Sequence, residues 1–225
     1  GGKRQTLVFG VGRNGLAEMV RQSRKRIRPR NRNFEDACKI GVQAHEVCIA
    51  SGDQDFGNNR RRAVDVTANE VFAADGYANR RVVVFDSETG AYKRHWGAYG
   101  NKPSDEKTPR YDPAQPPSQQ FGNPVHCIRL SQEGLVHVCD RTNNRLQIFR
   151  KDGSFVSEHV YEKPTRGNGT VYDLVFSPDK DQNFIYMIDG MNGEVRVVDR
   201  ASKETLARFG RPGRQAGQFT ALHNI

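Results

Sequence analysis

Residues 136–160 read VHVCDRTNNRLQIFRKDGSFVSEHV, and two other segments of the chain repeat the same order of features. These are residues 71–97, VFAADGYANRRVVVFDSETGAYKRHWG, and residues 185–210, IYMIDGMNGEVRVVDRASKETLARFG. Each begins with an apolar strand that ends in aspartate. A short turn rich in Gly and Asn leads to a second apolar strand, and a polar, alternating strand follows. Self-similarity of this kind indicates a repeat architecture.

A further apolar strand precedes each repeat, at residues 63–66, 125–130 and 171–176. Each unit therefore predicts four short antiparallel strands joined by tight turns. The inner strands are continuously apolar and the outer strand is half polar. A propeller blade predicts this gradient, because its inner strands are buried on both faces and its outer strand meets water.

The unit boundaries predict blades at about residues 63–100, 121–163 and 170–211. Residues 101–120 contain five of the ten prolines and predict an irregular surface insertion. Residues 221–225 (ALHNI) repeat the opening of the second unit, so we expect the start of a further blade there. Because propellers close with about 4–8 blades, about three blades and one strand predict a fragment of an all-β ring.

Residues 1–62 do not follow the repeat and form a basic, irregular segment. Residues 1–64 carry a net charge of +8, whereas residues 65–225 carry +1. We expect a disordered arm; a nucleic-acid-binding tail and a stretch of non-native sequence are the alternatives. The chain has no apolar run of the length that a membrane span needs, about 18–20 residues.

Cys127 and Cys139 lie opposite each other if residues 125–131 and 135–141 form a hairpin. The sequence favours two buried thiols here over a cross-strand disulfide and leaves the compartment open. Asp75, Asp140 and Asp189 recur in every unit. Since a single active site does not need three copies, we expect these aspartates to cap turns and to pair with Arg81 and Arg145.

The repeat resembles the NHL family over about residues 63–225, most clearly at residues 140–149, DRTNNRLQIF. This resemblance implies a six-bladed propeller. The stretch from Phe121 to Ile128, FGNPVHCI, also resembles a blade of peptidyl-α-hydroxyglycine α-amidating lyases that supplies a zinc-binding histidine. In that family, histidines on the innermost strands hold zinc in the central channel, a tyrosine is the catalytic base, and arginine lies near the substrate carboxylate.

His126 and His223 occupy the same position in successive units, at the start of the innermost strand. The resemblance makes them candidate zinc ligands. Tyr172 takes the equivalent position in the intervening unit, and Arg62 takes it approximately in the first. They are the candidate catalytic residues, matched by position alone. A structural calcium ion is also compatible with the fold.

The sequence therefore leaves two function classes. The first is a zinc-dependent carbon–nitrogen lyase acting on a peptidyl-α-hydroxyglycine or related small substrate. The second is a non-catalytic propeller scaffold that binds a protein or glycan through its loops. We expect a monomer that acts on a small molecule or peptide or binds a protein partner, not nucleic acid. The resemblance implies a periplasmic or extracellular location.

Overall fold

The computed structural model describes residues 62–225, which contain twelve β-strands and two short 3-10 turns. The strands are β1 Arg62–Asp65, β2 Glu70–Asp75, β3 Arg81–Asp86, β4 Tyr92–Trp96, β5 Val125–Leu130, β6 Val136–Asp140, β7 Arg145–Phe149, β8 Phe155–Val160, β9 Val171–Phe176, β10 Phe184–Asp189, β11 Glu194–Asp199 and β12 Thr205–Phe209. The 3-10 turns are Ala98–Gly100 and Arg141–Asn143. Residues 101–120 contain neither a helix nor a strand.

The strands form three four-stranded antiparallel sheets, in the orders β1-β2-β3-β4, β5-β6-β7-β8 and β9-β10-β11-β12. Each strand pairs with its neighbour in sequence, because tight turns of a few residues join them. Burial follows the predicted gradient. Every residue of β6 and β7 is buried, whereas β8 and β12 are partly or fully exposed along their whole length.

The sheets pack face to face around two shared cores. The first core joins the first two sheets and includes Phe72, Trp96, Ile128 and Phe149. The second joins the second and third sheets through residues such as Leu174. The innermost strands lie side by side, with β5 against β1 and β9 against β5. Three consecutive sheets packed in this way are blades of a β-propeller, as the repeat predicts.

A buried ion pair closes the turn of the second blade. Arg145 Nε donates to Asp140 Oδ2 at 2.7 Å, and neither side chain exceeds 1% exposure. Asn143 Nδ2 donates to the same oxygen at 2.8 Å, and the backbone N–H of Gly122 donates to Oδ1 at 2.8 Å. The carboxylate thus holds both its own turn and the entry to β5. This is the structural role that the sequence predicts for the recurring aspartate.

The other two turns use the same aspartate and asparagine. Asp75 accepts from Asn79 Nδ2 at 3.0 Å and from Arg81 Nε at 2.9 Å. Asp189 accepts from Asn192 Nδ2 at 2.9 Å. Because the same polar side chains recur at the same end of all three blades, the turn geometry belongs to the repeat rather than to one site.

The third blade obtains its guanidinium from a different position. Glu194 stands opposite Asp189, where the first two blades carry arginine. Arg196 lies two residues further along β11 and reaches the Asp189 carboxylate at 2.7 Å. Side chains two residues apart on a strand share a face, so Arg196 can replace the missing partner. Arg196 also pairs with Glu194 at 2.6 Å and with Glu162 at 3.0 Å.

Cys127 and Cys139 stand opposite each other in the β5–β6 pair, and their sulfurs are bonded. The expectation of two buried thiols is corrected here. The Cα atoms are 4.8 Å apart, within the range that a disulfide spans. Both residues are fully buried.

Residues 221–225 do not form the predicted strand. The innermost strand of a blade takes its hydrogen bonds from the second strand of the same blade, and the described residues include no second strand for this segment. The segment instead lies beside the start of β9, where the backbone N–H of Ile225 donates to Asp173 Oδ2 at 3.4 Å.

Candidate functional site

His126 and Tyr172 occupy the same kind of backbone position in neighbouring blades. In the β5–β6 pair, Val125 faces Asp140 and Cys127 faces Cys139, so His126 is the extra residue of a β-bulge. In the β9–β10 pair, the register shifts in the same way around Tyr172. Bulges re-aim side chains and are common next to active sites. The repeated bulge therefore turns both rings towards the same place.

The structure brings His126, Tyr172 and His223 into one cluster. The ring centres of the two histidines are 4.8 Å apart and their planes are nearly perpendicular, at 85°. The Tyr172 ring lies 5.3 Å from His126 and 5.5 Å from His223. His126 is fully buried. Three of the four residues that the sequence singled out by their repeat position are thus in mutual contact.

Hydrogen bonds at Nδ1 define which nitrogen each imidazole offers. His126 Nδ1 lies 2.5 Å from the backbone oxygen of Tyr172. A carbonyl oxygen can only accept, so this nitrogen carries the proton and Nε2 carries the lone pair. His223 Nδ1 lies 3.0 Å from Asn224 Oδ1, an oxygen that accepts a hydrogen bond from a protonated Nδ1. Metal-binding histidines are oriented in this way by a second partner on the other nitrogen.

The ring-centre spacing of the two imidazoles matches both an edge-to-face aromatic contact and a pair of ligands that share one zinc ion. With Zn–N bonds of about 2.0–2.1 Å, the ring centres of two ligands lie about 5 Å apart. The 4.8 Å separation of His126 and His223 agrees with this value. Within residues 62–225, the structure brings together no group of three or more His, Cys, Asp or Glu side chains that could hold a metal. The described residues therefore offer two candidate ligands.

Tyr172 is held between charged and tightly packed neighbours. The guanidinium carbon of Arg141 lies 4.8 Å from the centre of the ring. A Cβ added to Gly190 would come within 2.6–2.7 Å of three ring carbons, so only glycine leaves room for the ring there. Burial raises the pKa of the Tyr172 phenol, and the positive charge of Arg141 opposes that rise.

Arg62 does not take the position that the sequence alignment assigned to it. It stands opposite Ala73, two residues before the aspartate that ends β2. The residues at that level of the next two blades are Ile128 and Leu174. The alignment was therefore displaced by two residues, and the position that matches His126 lies outside the described residues.

The structure adds two residues that sequence reasoning missed, Arg141 and Tyr77. Arg141 directly follows the repeat aspartate, where the other two repeats carry Gly76 and Gly190. Its buried Nε has no hydrogen-bond partner among residues 62–225. The Tyr77 ring centre lies 6.3 Å from that of His126. The sequence signal that could have identified Arg141 is that one repeat carries arginine where the other two carry glycine.

The remaining histidines of the described chain lie on other strands. His95 is on the exposed outer strand β4, His137 is buried in β6, and His159 is on the outer strand β8. None of these strands lines the inner ring. The histidine cluster is therefore confined to the start of β5 and residues 221–225.

Part of the chain is similar in sequence to two curated amidating enzymes. The chain is 30% identical over 129 residues to peptidyl-glycine alpha-amidating monooxygenase B of Xenopus laevis and 28% identical over 129 residues to form A. The match covers 57% of this chain but only 13% and 12% of the two relatives. The chain thus spans about an eighth of their length. No family model matches the chain.

Solved structures that resemble the chain share little sequence with it. Hydrazine synthase of Kuenenia stuttgartiensis aligns with a TM-score of 0.47 at 13% identity, covering 65% of this chain and 35% of the other. U3-55K aligns with a TM-score of 0.45 at 12% identity, covering 68% and 40%. The propeller assignment rests on the three sheets themselves.

Across residues 62–225, no helix is long and apolar enough to cross a bilayer.

Proposed function

We propose that this propeller is a zinc-dependent lyase that cleaves the C–N bond of a peptidyl-α-hydroxyglycine to give a peptide amide and glyoxylate. The observation that carries the proposal is the cluster of His126, His223 and Tyr172, with ring centres 4.8–5.5 Å apart at the start of the inner strands. The similarity over 129 residues to enzymes named for the amidation of peptidyl-glycine supports a substrate of that class.

His126 and His223 would hold the zinc through their Nε2 atoms. Bound zinc would supply Lewis-acid polarisation of the substrate oxygen. A catalytic zinc usually has three protein ligands and one open position. The two histidines leave places for the substrate and for a third ligand from outside residues 62–225. The Nδ1 hydrogen bond of His126 to the Tyr172 carbonyl would orient its ring.

Tyr172 would move the proton. The substrate hydroxyl loses its proton to the phenolate oxygen as the C–N bond breaks, and the leaving amide nitrogen then recovers that proton. The products are a neutral amide and the aldehyde glyoxylate, so atoms and charge balance. Burial raises the pKa of the Tyr172 phenol, which disfavours the phenolate. The adjacent Arg141 guanidinium, 4.8 Å from the ring centre, favours it.

Arg141 also suits the carboxylate of the substrate. Its guanidinium lies beside Tyr172, and its buried Nε has no partner among the described residues. By contrast, the repeat arginines Arg81, Arg145 and Arg196 are all paired with aspartate. A guanidinium binds a carboxylate through two parallel hydrogen bonds. Arg141 therefore replaces Arg62 as the proposed carboxylate-binding residue.

The disulfide supports a location outside the cytoplasm. Cys127 and Cys139 are bonded in the second blade, and disulfides persist mainly in oxidising compartments. We therefore place the protein in the periplasm or outside the cell. Cells are quenched in acid, the protein is denatured and alkylated with and without prior reduction, and peptides with Cys127 and Cys139 are analysed; alkylation of both cysteines without reduction would contradict this location.

The second candidate function is a scaffold that binds a protein partner. The exposed outer strand β12 carries Leu206 at 58% exposure and Phe209 at 52%. Exposed large apolar side chains are candidate contacts for a partner protein. A scaffold of this kind would not need the histidine cluster, so substitution of His126 separates the two functions.

Release of glyoxylate from N-benzoyl-α-hydroxyglycine tests the lyase directly. The purified chain, loaded with zinc, is compared with His126→Ala, with Tyr172→Phe and with the exposed control His95→Ala. We expect the two site variants to lose at least about 100-fold in turnover, a typical loss when general acid–base catalysis is removed. The control should keep full activity. Equal activity in all four proteins would refute the proposal.

A further inference from the structure

Residues 101–120, between the first and second blades, form a loop whose two ends meet. The backbone N–H of Ser104 donates to Gln120 Oε1 at 3.3 Å. Asn101 Nδ2 donates to the backbone oxygen of Gln119 at 3.4 Å. A compact loop that is closed at its base has the form of an Ω-loop, and such loops are frequently functional. The part of the loop between these ends is therefore available to contact other parts of the fold.

One side of the loop is anchored to the turn between β2 and β3 of the first blade. Arg80 Nη2 donates to the backbone oxygens of Ser104 and Glu106, both at 2.5 Å. Arg80 Nη1 donates to Thr108 Oγ1 at 3.2 Å. Because two of these three bonds end on carbonyl oxygens of the main chain, a single arginine fixes the path of the loop over the first blade.

The other side of the loop reaches the link between β8 and β9, only three residues after Thr108. The Tyr111 phenol donates to the backbone oxygen of Lys163 at 2.7 Å. Asp112 forms an ion pair with Arg166 at 3.0 Å. The loop is thus attached both to the first blade and to the link that enters the third blade.

The link between β8 and β9 is in turn packed on the second and third blades. A Cβ added to Gly169 would lie 1.8 Å from the backbone oxygen of Arg141, so the link and the turn of the second blade are in direct contact. Asn192 Nδ2 of the third blade donates to Thr165 Oγ1 at 3.2 Å. Tyr172 is the second residue of β9, which the link enters. Movement of the link would therefore shift the start of β9 at the histidine cluster.

We propose that residues 101–120 act as a strap that ties the first blade to the link entering the third, and so limits relative movement of the blades at the end that carries the histidine cluster. The two apolar cores join only neighbouring blades. The strap supplies a connection between the first blade and the entry to the third that these cores do not provide. This inference is independent of zinc binding and of lyase activity.

Hydrogen–deuterium exchange of the full chain, read by mass spectrometry of its peptides, tests the strap with two anchor variants and two matched controls. Arg80→Ala removes the anchor on the first blade, and Tyr111→Phe removes the phenol bond to the link. The control Arg110→Ala changes an exposed arginine of the same loop that takes no part in either anchor. The control Tyr92→Phe removes a phenol that is bonded to His95 on the outer strand β4.

Both anchor variants should exchange about three- to tenfold faster than the wild type in residues 161–174, because local opening needs less free energy when a hydrogen bond is lost. Both controls should exchange there as the wild type does. If Arg80→Ala alters the fold, Tyr111→Phe decides, since it removes one oxygen only. Faster exchange confined to residues 76–80 and 101–120 would overturn the inference.

Reversal of the ion pair gives a second test with a rescue. Arg166→Asp places two carboxylates side by side and should speed exchange of the link. Addition of Asp112→Arg to this variant restores opposite charges and should return exchange towards the wild-type rate. A double variant that exchanges as fast as Arg166→Asp alone would contradict the strap.

Discussion

Replacement of Asp140 by asparagine should be the most damaging of the three aspartate substitutions in the repeat. The carboxylate and the Arg145 guanidinium are at most 1% exposed and lie 2.7 Å apart. Removing one charge of a buried pair costs about 3–5 kcal/mol, because the other charge stays buried without its partner. Glu158 remains 3.2 Å from Arg145 Nη1 and compensates in part. We therefore expect a loss of about 3 kcal/mol in the free energy of unfolding.

The other two blades provide matched controls at the same repeat position. The Asp75–Arg81 pair is about one quarter exposed on each side chain, so Asp75→Asn should cost about 1 kcal/mol or less. Asp189→Asn leaves Arg196 with two carboxylates, at 2.6 Å and 3.0 Å. Its cost should be intermediate, about 2 kcal/mol. The predicted order is therefore Asp140, then Asp189, then Asp75.

Urea denaturation of the full chain measures these costs through the single tryptophan. Trp96 packs in the core that the first two blades share, with its ring centre 5.9 Å from that of Phe149. Its fluorescence therefore reports the joint unfolding of these two blades, and far-UV circular dichroism reports the loss of β-structure in all three. Equal losses for Asp140→Asn and Asp75→Asn would refute the reasoning, because burial would then not decide the cost.

Three further predictions concern pH, the disulfide and the packing of the site. Burial lowers the pKa of His137 to about 3 in the folded chain, whereas an unfolded histidine has a pKa of about 6.5. As the pH drops below about 6.5, the unfolded chain binds a proton that the folded chain does not, so stability falls. The urea midpoint should fall between pH 7 and pH 5, and His137→Gln should flatten this slope; identical slopes would contradict the argument. The Cys127–Cys139 bond has a sequence separation of 12, so the double serine variant should lose about 3 kcal/mol in the free energy of unfolding, and an unchanged urea midpoint would count against this. Gly190→Ala should displace the Tyr172 ring, which a Cβ would meet at 2.6–2.7 Å; we expect lower turnover with unchanged zinc content, and normal turnover would show that the ring tolerates the change.

The blades were predictable because each is coded locally. Apolar runs, turn residues and a terminal aspartate recur within each repeat, and Asp140 makes its contacts almost entirely within its own blade and the entry to it. The position of His126 could also be predicted, since it follows from its place in the repeat. Its neighbours could not all be predicted in this way.

Contacts between blades depend on strand register and on single-residue differences between the repeats, which local sequence patterns do not encode. Arg62 was assigned two residues away from its true level because no residue of the first inner strand marks the strand register in the sequence. Arg141 reaches Tyr172 in the next blade, and no periodic signal relates the two. Arg196 provides the guanidinium for Asp189, because Glu194 occupies the position opposite Asp189 where the first two blades carry arginine. The disulfide was not predicted because packing alone does not decide whether two facing cysteines are bonded or remain thiols.

Zinc content of the purified, dialysed full chain tests the central claim most directly. The wild type, His126→Ala and His95→Ala are compared by elemental analysis, with far-UV circular dichroism to confirm a β fold in all three. We predict about one zinc ion per chain in the wild type and in His95→Ala, and its loss from His126→Ala without loss of the fold. A well-folded wild type that retains no zinc after loading and dialysis would contradict the account.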